Sequence, residues 1–413
     1  MRKRGFHQLG MGIVEVMIGI LIGVIVVLAI YNVFSVAEGY KRTTVGAADA
    51  QTTGLFAQFV LSREIANAGN GVSGDGAGLA TCTTADANWV APAAFFAAAG
   101  TRAIRPTPVL IKDGGGATQS DSMILAYSTA PRVISGMPLV DKPMAAGTDP
   151  FYVQSPNGFG VNDLVIVNDK AGNCELTQVT SVTPGDSAGN VTTGIVRLTH
   201  PATINLYAPS GVTNGPSVIN LGQAGQATRT YFDVVNEQLR TTDLLGAAFP
   251  PAGVTANPIA QNIVLMKAQY GVDCAGNGVI VWTSATASNI CGDGLNYQPD
   301  DFMPVAPAVS PWTATNLARI HAVRIAVVVR SDEPDLRQPT DPSVASATRA
   351  PVVLFNCSAN TNAACPGRIV LPAGPVAALG NPTCAPAIIC DTWRYRSYET
   401  IVPMRNAIFN NGT

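Results

Sequence analysis

The sequence predicts an α+β protein in which a long N-terminal helix packs on a β-rich domain. Two observations support this prediction. The first is an apolar run over residues 11–34 in which Glu15 is the only charged residue, followed by a stretch that lacks proline until Pro92. The second is a change, beyond residue 100, to short segments rich in valine and isoleucine that are separated by glycine, proline, asparagine and aspartate.

The first half of the predicted helix is long enough to cross a membrane. A helix over residues 11–34 extends about 36 Å, which exceeds the ~30 Å hydrocarbon core of a bilayer. Arg2, Lys3 and Arg4 precede the apolar run, and this charge bias places the N-terminus in the cytoplasm and the rest of the chain outside it. We therefore expect a membrane-embedded helix over residues 11–36 and an amphipathic continuation over residues 37–69.

Glu15 needs an explanation, because an isolated carboxylate inside a bilayer costs a few kcal/mol. Residues 10–18 read GMGIVEVMI, and this segment resembles the class III signal of type IV prepilins. The resemblance implies that prepilin peptidase removes residues 1–10 as a leader by cutting between Gly10 and Met11, and that Met11 becomes N-methylated. It also implies that Glu15 neutralises the N-terminal amine of a neighbouring subunit in the filament, since two paired charges cost less than two isolated ones.

Four further segments resemble the PilW-type minor pilins. They read REIANAG at residues 63–69, DLVIV at 163–167 with LTQV at 176–179, QYGVD at 269–273, and RYRSYET at 394–400 followed by PMRN at 403–406. The resemblance implies a type IV pilin-like fold and a minor pilin that helps prime pilus assembly at or near the tip, supporting twitching motility and adhesion. The partners it implies are other minor pilins, the major pilin, a tip adhesin, prepilin peptidase and the inner-membrane assembly platform.

The same resemblance implies a location. The protein would be a single-pass inner-membrane protein with a periplasmic C-terminal domain before assembly, and would then lie in the pilus, near its tip, at the cell surface. We expect the β-rich domain to cover residues 70–413, with a long irregular loop region over residues 335–392. The candidate strands are 123–127, 164–167, 175–182, 194–198, 228–235, 263–272, 279–282, 324–329 and 395–402.

Cysteine usage fits an exported domain, where disulfides persist. The eight cysteines are Cys82, Cys174, Cys274, Cys291, Cys357, Cys365, Cys384 and Cys390. Proximity in sequence favours the pairs 274–291, 357–365 and 384–390, which leaves 82–174 by elimination. Eight cysteines allow roughly 105 pairings, so the connectivity stays open at this point.

Composition and motifs give no sign of catalysis, cofactor binding or nucleic-acid binding. The net charge is −2 and charged residues are only 13% of the chain, whereas a nucleic-acid-binding face would be clustered and basic. The hydrolase motif G-x-S-x-G and the metalloprotease motif H-E-x-x-H do not occur. Asp273 and Asn277 form a weak candidate calcium site, but the loop lacks the other carboxylates of an EF-hand, and a hairpin turn is the favoured interpretation.

Two alternative functions remain open from the sequence. The nearer one is a minor pseudopilin of a type II secretion system, which uses the same N-terminal signal but is usually about half this length. The more distant one is a membrane-anchored periplasmic binding protein or enzyme, which would need a pocket lined by convergent polar groups.

Overall fold

The N-terminal part of the chain forms one uninterrupted helix, α1 (Ile13–Asn67). The computed structural model describes residues 12–71, 108–131, 136–154, 157–168, 174–201, 216–245, 255–283, 290–291, 319–332, 352–355, 369–371 and 395–405. The helix runs without interruption through Gly39 and residues 43–46, although glycine, threonine and valine favour helices weakly. No proline interrupts it, so each amide of its interior can donate to the carbonyl four residues earlier.

In the rest of the described chain the regular secondary structure is β-strand apart from one 3-10 turn, which agrees with the predicted α+β class. Nine of the strands are β1 (Val109–Lys112), β2 (Ser122–Ser128), β3 (Met137–Pro138), β4 (Phe151–Val153), β5 (Asp163–Asn168), β6 (Cys174–Gln178), β7 (Ser181–Pro184), β8 (Val196–Thr199) and β9 (Ser217–Gln223). The others are β10 (Ala227–Val235), β11 (Gln238–Asp243), β12 (Ala256–Gln261), β13 (Ile263–Asp273), β14 (Ile280–Trp282), β15 (Ile320–Arg330), β16 (Val352–Leu354), β17 (Ile369–Leu371) and β18 (Tyr395–Pro403). A 3-10 turn at Val191–Thr193 precedes β8.

The second half of α1 packs against two antiparallel sheets. One has the strand order β1-β2-β10-β11-β12, and the other has the order β14-β13-β15-β18. The second half of α1 lies on β15 and β18, and its buried residues Ala57, Leu61 and Ile65 share one apolar core with both sheets. The first half of α1 extends away from this core into solvent.

Strand β15 is buried on both faces, which explains its unbroken valine and isoleucine content. Val323, Ile325, Val327 and Val329 belong to the core that includes α1. Ala326 and Val328 on the opposite face pack with Leu354, Phe355 and Leu371 around the small β16–β17 sheet. Part of the segment 335–392, which we expected to be irregular, therefore returns to cover the outer face of this sheet.

A small β-barrel is inserted between β2 and β10, although these two strands are paired neighbours. Its two sheets have the orders β3-β9-β5-β6 and β4-β8-β7. A bridge between Leu139 and Val153 joins them on one side, and the chain bends directly from β6 into β7 on the other. The enclosed core includes Val165, Val167 and Val218, whereas the outer side of β5 and β9 packs on the main core.

Candidate functional site

The first half of α1 is an exposed apolar surface. All residues from 12 to 38 are exposed, and nearly all of those up to residue 34 are aliphatic, aromatic or glycine. Within the part of the chain that the structure describes, α1 is the one helix long and apolar enough to cross a membrane, judged by length and composition. A helix that is apolar on every side requires an apolar environment on every side, which a bilayer or a bundle of similar helices supplies.

Glu15 lies in the first turn of α1, where its charge is favourable to the helix dipole. Its backbone N–H donates to the carbonyl of Gly12 over 3.0 Å, and its side chain is exposed. No ion pair to Glu15 occurs among residues 12–71 and the other described segments. Gly10 and Met11 lie outside the described residues, so the cleavage site and the amine that would pair with Glu15 stay predictions.

A glycine allows close contact between the second half of α1 and β18. A Cβ atom at Gly54 would lie 2.1 Å from Cε2 of Tyr398, so any larger residue would require movement of the helix or the ring. One turn later, the Gln58 Nε2 donates to the carbonyl of Glu399 over 2.9 Å. The sequence offered no signal for this contact, because the two partners are separated by more than three hundred residues.

The C-terminal end of α1 is hydrogen-bonded to β2. The Tyr127 hydroxyl donates to Glu64 Oε2 over 2.5 Å, and Arg63 pairs with the other carboxylate oxygen over 2.8 Å. Burial, and then the neighbouring Glu64, raises the pKa of Tyr127 to about 12. Directly after the helix, the Gly69 N–H donates to the carbonyl of Ala126 over 2.9 Å. These contacts give the REIANAG segment a structural role at the junction between helix and sheet.

The QYGVD segment connects the two sheets through Tyr270. Its hydroxyl accepts a hydrogen bond from the N–H of Ile111 over 2.7 Å and donates to the carbonyl of Val109 over 3.2 Å. Gly271 follows where β14 approaches closely, because a Cβ atom there would lie 2.6 Å from Cγ2 of Ile280. Tyrosine and glycine at these positions therefore both serve packing.

Asp273 closes the turn between β13 and β14. Its Oδ2 accepts from the N–H of Gly278 over 2.8 Å and its Oδ1 from the N–H of Asn277 over 3.2 Å. These hydrogen bonds lower the pKa of Asp273, with the one from Gly278 contributing most. The Asn277 side-chain oxygen in turn accepts from the N–H of Val279. Both candidate calcium ligands are thus engaged by the turn, and no group of three or more metal-binding side chains occurs within the described ranges.

One predicted disulfide is present in the described residues. Cys274 and Cys291 are bonded and close a loop with a sequence separation of 17. Cys174, at the start of β6, is also disulfide-bonded. Its predicted partner Cys82 lies outside the described residues, as do the other four cysteines: Cys357, Cys365, Cys384 and Cys390.

Comparison with known proteins gives one match. Residues 230–406 match the PilW family, described as Type IV Pilus-assembly protein W. No curated protein and no solved structure matches the chain significantly. The matched region begins within β10 and includes the QYGVD segment, β15 and β18, on which α1 lies. The resemblance inferred from the sequence is therefore confirmed over this region, which is similar to PilW-type type IV pilus assembly proteins.

Proposed function

We propose that this protein is a minor pilin that helps prime type IV pilus assembly at or near the pilus tip. One observation supports this proposal above the others. The exposed apolar half of α1 continues without a break into a half that packs on β15 and β18, and both strands lie within the region that matches PilW. The chain therefore joins a membrane-compatible rod rigidly to a folded domain of the pilus assembly family.

In this proposal the helix has two successive environments. Before assembly, residues 11–36 lie in the inner membrane as a single span, with the β-rich domain in the periplasm. Prepilin peptidase cuts between Gly10 and Met11 and the new amine is methylated. The helix then leaves the bilayer and packs among the corresponding helices of other minor pilins and the major pilin, which supply a comparable apolar environment.

Glu15 is the residue that makes this transfer selective. After cleavage, the Glu15 carboxylate lies about one helical turn from the new N-terminus at Met11. It can pair with the amine at Met11 of a neighbouring subunit when the two helices are correctly staggered. An incorrect stagger would leave both charges unpaired in an apolar bundle, at a cost of several kcal/mol for each ion. The pair would therefore set the axial position of the subunit, and the domain would contribute contacts with the partners and not catalysis.

Substitution of Glu15 tests the proposal. We expect Glu15→Ala to reduce the number of pili strongly, while the level of the protein in the membrane and its melting temperature stay unchanged. Glu38→Ala is the matched control, because Glu38 is an exposed glutamate on the same helix and, among the described residues, pairs with the exposed Arg42. Normal piliation in Glu15→Ala, or an equal loss in Glu38→Ala, would contradict the assigned role.

Mass spectrometry of the N-terminal peptide tests the processing step separately. Protein extracted from membranes should begin at N-methylated Met11, and Gly10→Val should block cleavage. An N-terminal peptide that retains the leader in the wild-type protein would exclude a pilin pathway. Cells lacking the protein should also lose twitching motility, while secretion of type II substrates should continue, since a pseudopilin would show the opposite pattern.

A further inference from the structure

A buried lysine lies between two carboxylates at the junction of the two large sheets. The Nζ atom of Lys267, on β13, is 2.6 Å from Oδ1 of Asp121 and 3.3 Å from Oδ1 of Asp113. The side chains of Lys267, Asp121 and Asp113 are 3%, 4% and 14% exposed. The loop from β1 to β2 carries both aspartates, which are therefore far in sequence from the lysine on β13. None of the three residues has a part in the proposed assembly role.

The backbone holds the Asp121 carboxyl group in a fixed orientation. Its Oδ2 accepts from the N–H of Ala268 over 2.8 Å, and its Oδ1 accepts from the N–H of Gly114 over 3.0 Å. Gly114 allows the loop to close tightly, because a Cβ atom there would lie 2.3 Å from the carbonyl oxygen of Ser120. The Asp121 N–H donates to the carbonyl of Met266, beside the lysine, over 2.8 Å.

Burial changes the chemistry of such a pair. An apolar environment disfavours the charged forms of both amines and carboxylic acids. For Asp121 this effect exceeds the opposing effect of Lys267 and raises the pKa of the carboxyl group to about 7. Movement of one proton along the 2.6 Å hydrogen bond converts the ion pair into a neutral amine and a neutral acid, which are a nucleophile and an electrophile already in contact.

We propose that Lys267 and Asp121 become joined by an amide bond in the folded protein, with Asp113 as the proton carrier. The lone pair of Lys267 Nζ attacks Cγ of Asp121, and the charge that develops on Oδ2 is stabilised by the N–H of Ala268. Asp113 takes a proton from the nitrogen and delivers it to the hydroxyl on Oδ1. The bond between Cγ and Oδ1 then breaks, one water molecule leaves, and the side-chain amide remains.

This bond would cross-link the two large sheets. Asp121 and Lys267 are separated by 146 positions in the sequence, and β2 and β13 belong to different sheets. The cross-link would keep the sheets together under a pulling force that could separate non-covalent contacts. The inference rests on the geometry and burial of the cluster, so it does not depend on the role proposed for Glu15.

Peptide mapping of the purified full-length wild-type protein tests the inference directly. After reduction and alkylation, trypsin should not cleave behind Lys267. Residues 113–132 should be recovered attached to residues 241–319, with the summed mass reduced by one water molecule. Fragmentation should locate the link at Asp121. Recovery of unlinked peptides ending at Lys267, without the mass deficit, would overturn the proposal even if every variant failed to fold.

Two variants separate the roles of the three residues. Asp113→Asn keeps the size of the proton carrier but removes its basicity, and we expect at least a tenfold loss of the cross-linked fraction. Asp121→Asn allows the same amide to form with loss of ammonia, so its linked peptide should have the same mass as the wild-type peptide. Full cross-linking in Asp113→Asn would overturn the role given to Asp113, and a link that maps to Asp113 in the wild type would overturn the assignment of Asp121.

Discussion

The contact between Gly54 and Tyr398 predicts that the same substitution has opposite effects at two glycines of α1. At Gly54, an alanine Cβ would lie 2.1, 2.3 and 2.7 Å from three atoms of the Tyr398 ring, whereas at Gly46 it would lie 3.4 Å from the Cβ of Ser331. Relief of the first overlap requires the ring and the helix to separate by about 1.4 Å, judged against an ordinary carbon–carbon contact of about 3.5 Å.

The free energies can be assigned from this geometry. Replacement of glycine by alanine inside a helix stabilises the folded state by about 1 kcal/mol, whereas overpacking of a filled site costs about 1–3 kcal/mol. We expect Gly46→Ala to stabilise the protein by about 0.5–1 kcal/mol. Gly54→Ala should destabilise it by about 1 kcal/mol, because the overlap outweighs the gain in helix propensity.

A double-substitution cycle makes the test decisive. In the background of Tyr398→Ala, where the ring is absent, Gly54→Ala should become stabilising by about 0.5–1 kcal/mol, as at Gly46. Denaturant unfolding of the full-length protein in detergent micelles, followed by circular dichroism, measures the free energy of unfolding of the wild type and of each variant. If Gly54→Ala stabilises the protein that retains Tyr398, the helix does not lie against β18 as described.

Two further predictions concern the turn between β13 and β14. Replacing both Cys274 and Cys291 by serine should lower the free energy of unfolding by about 3 kcal/mol, because the disulfide no longer restricts a loop with a 17-residue separation in the unfolded chain. Equal denaturation midpoints in the oxidised wild type and the variant would contradict this prediction. Because hydrogen bonds in the folded state lower the pKa of Asp273, its stabilising effect is present above the ordinary pKa of 3.8 and lost as the pH falls through the lowered value. The melting temperature of Asp273→Asn should therefore lie below that of the wild type at pH 7 and approach it in acid. A constant difference at both pH values would contradict the assignment, and Asp49→Asn on the exposed surface of α1 is the control for replacing an aspartate away from this turn.

Local patterns in the sequence were sufficient to predict much of the fold. The lack of proline and the apolar run predict α1, and the dense valine and isoleucine content predicts β15, because each element depends on neighbours along the chain. The turn at Asp273 and the nearby disulfide were also predictable, since their partners lie within twenty positions. The short strands β16 and β17 were not predictable, because three residues among prolines and glycines carry no periodic pattern.

Contacts between distant segments account for what the sequence could not predict. Gly54 resembles any other helical glycine until Tyr398 is placed against it. Lys267 and Asp121 are ordinary charged residues in their own segments, and only the packing of one sheet on the other buries them together. The barrel also escaped prediction as a unit, although several of its strands were predicted individually, because ring closure depends on the pairing of Leu139 with Val153.

The closure of the inserted β-barrel reduces the tendency of the protein to aggregate at high local concentration. Exposed strand edges have unpaired backbone groups that can recruit strands from other chains and lead to aggregation. The bend from β6 into β7 and the bridge between Leu139 and Val153 leave this part of the molecule without a long open edge. Strand exchange with a neighbouring chain is therefore less favourable at these inserted strands than at an open sheet edge.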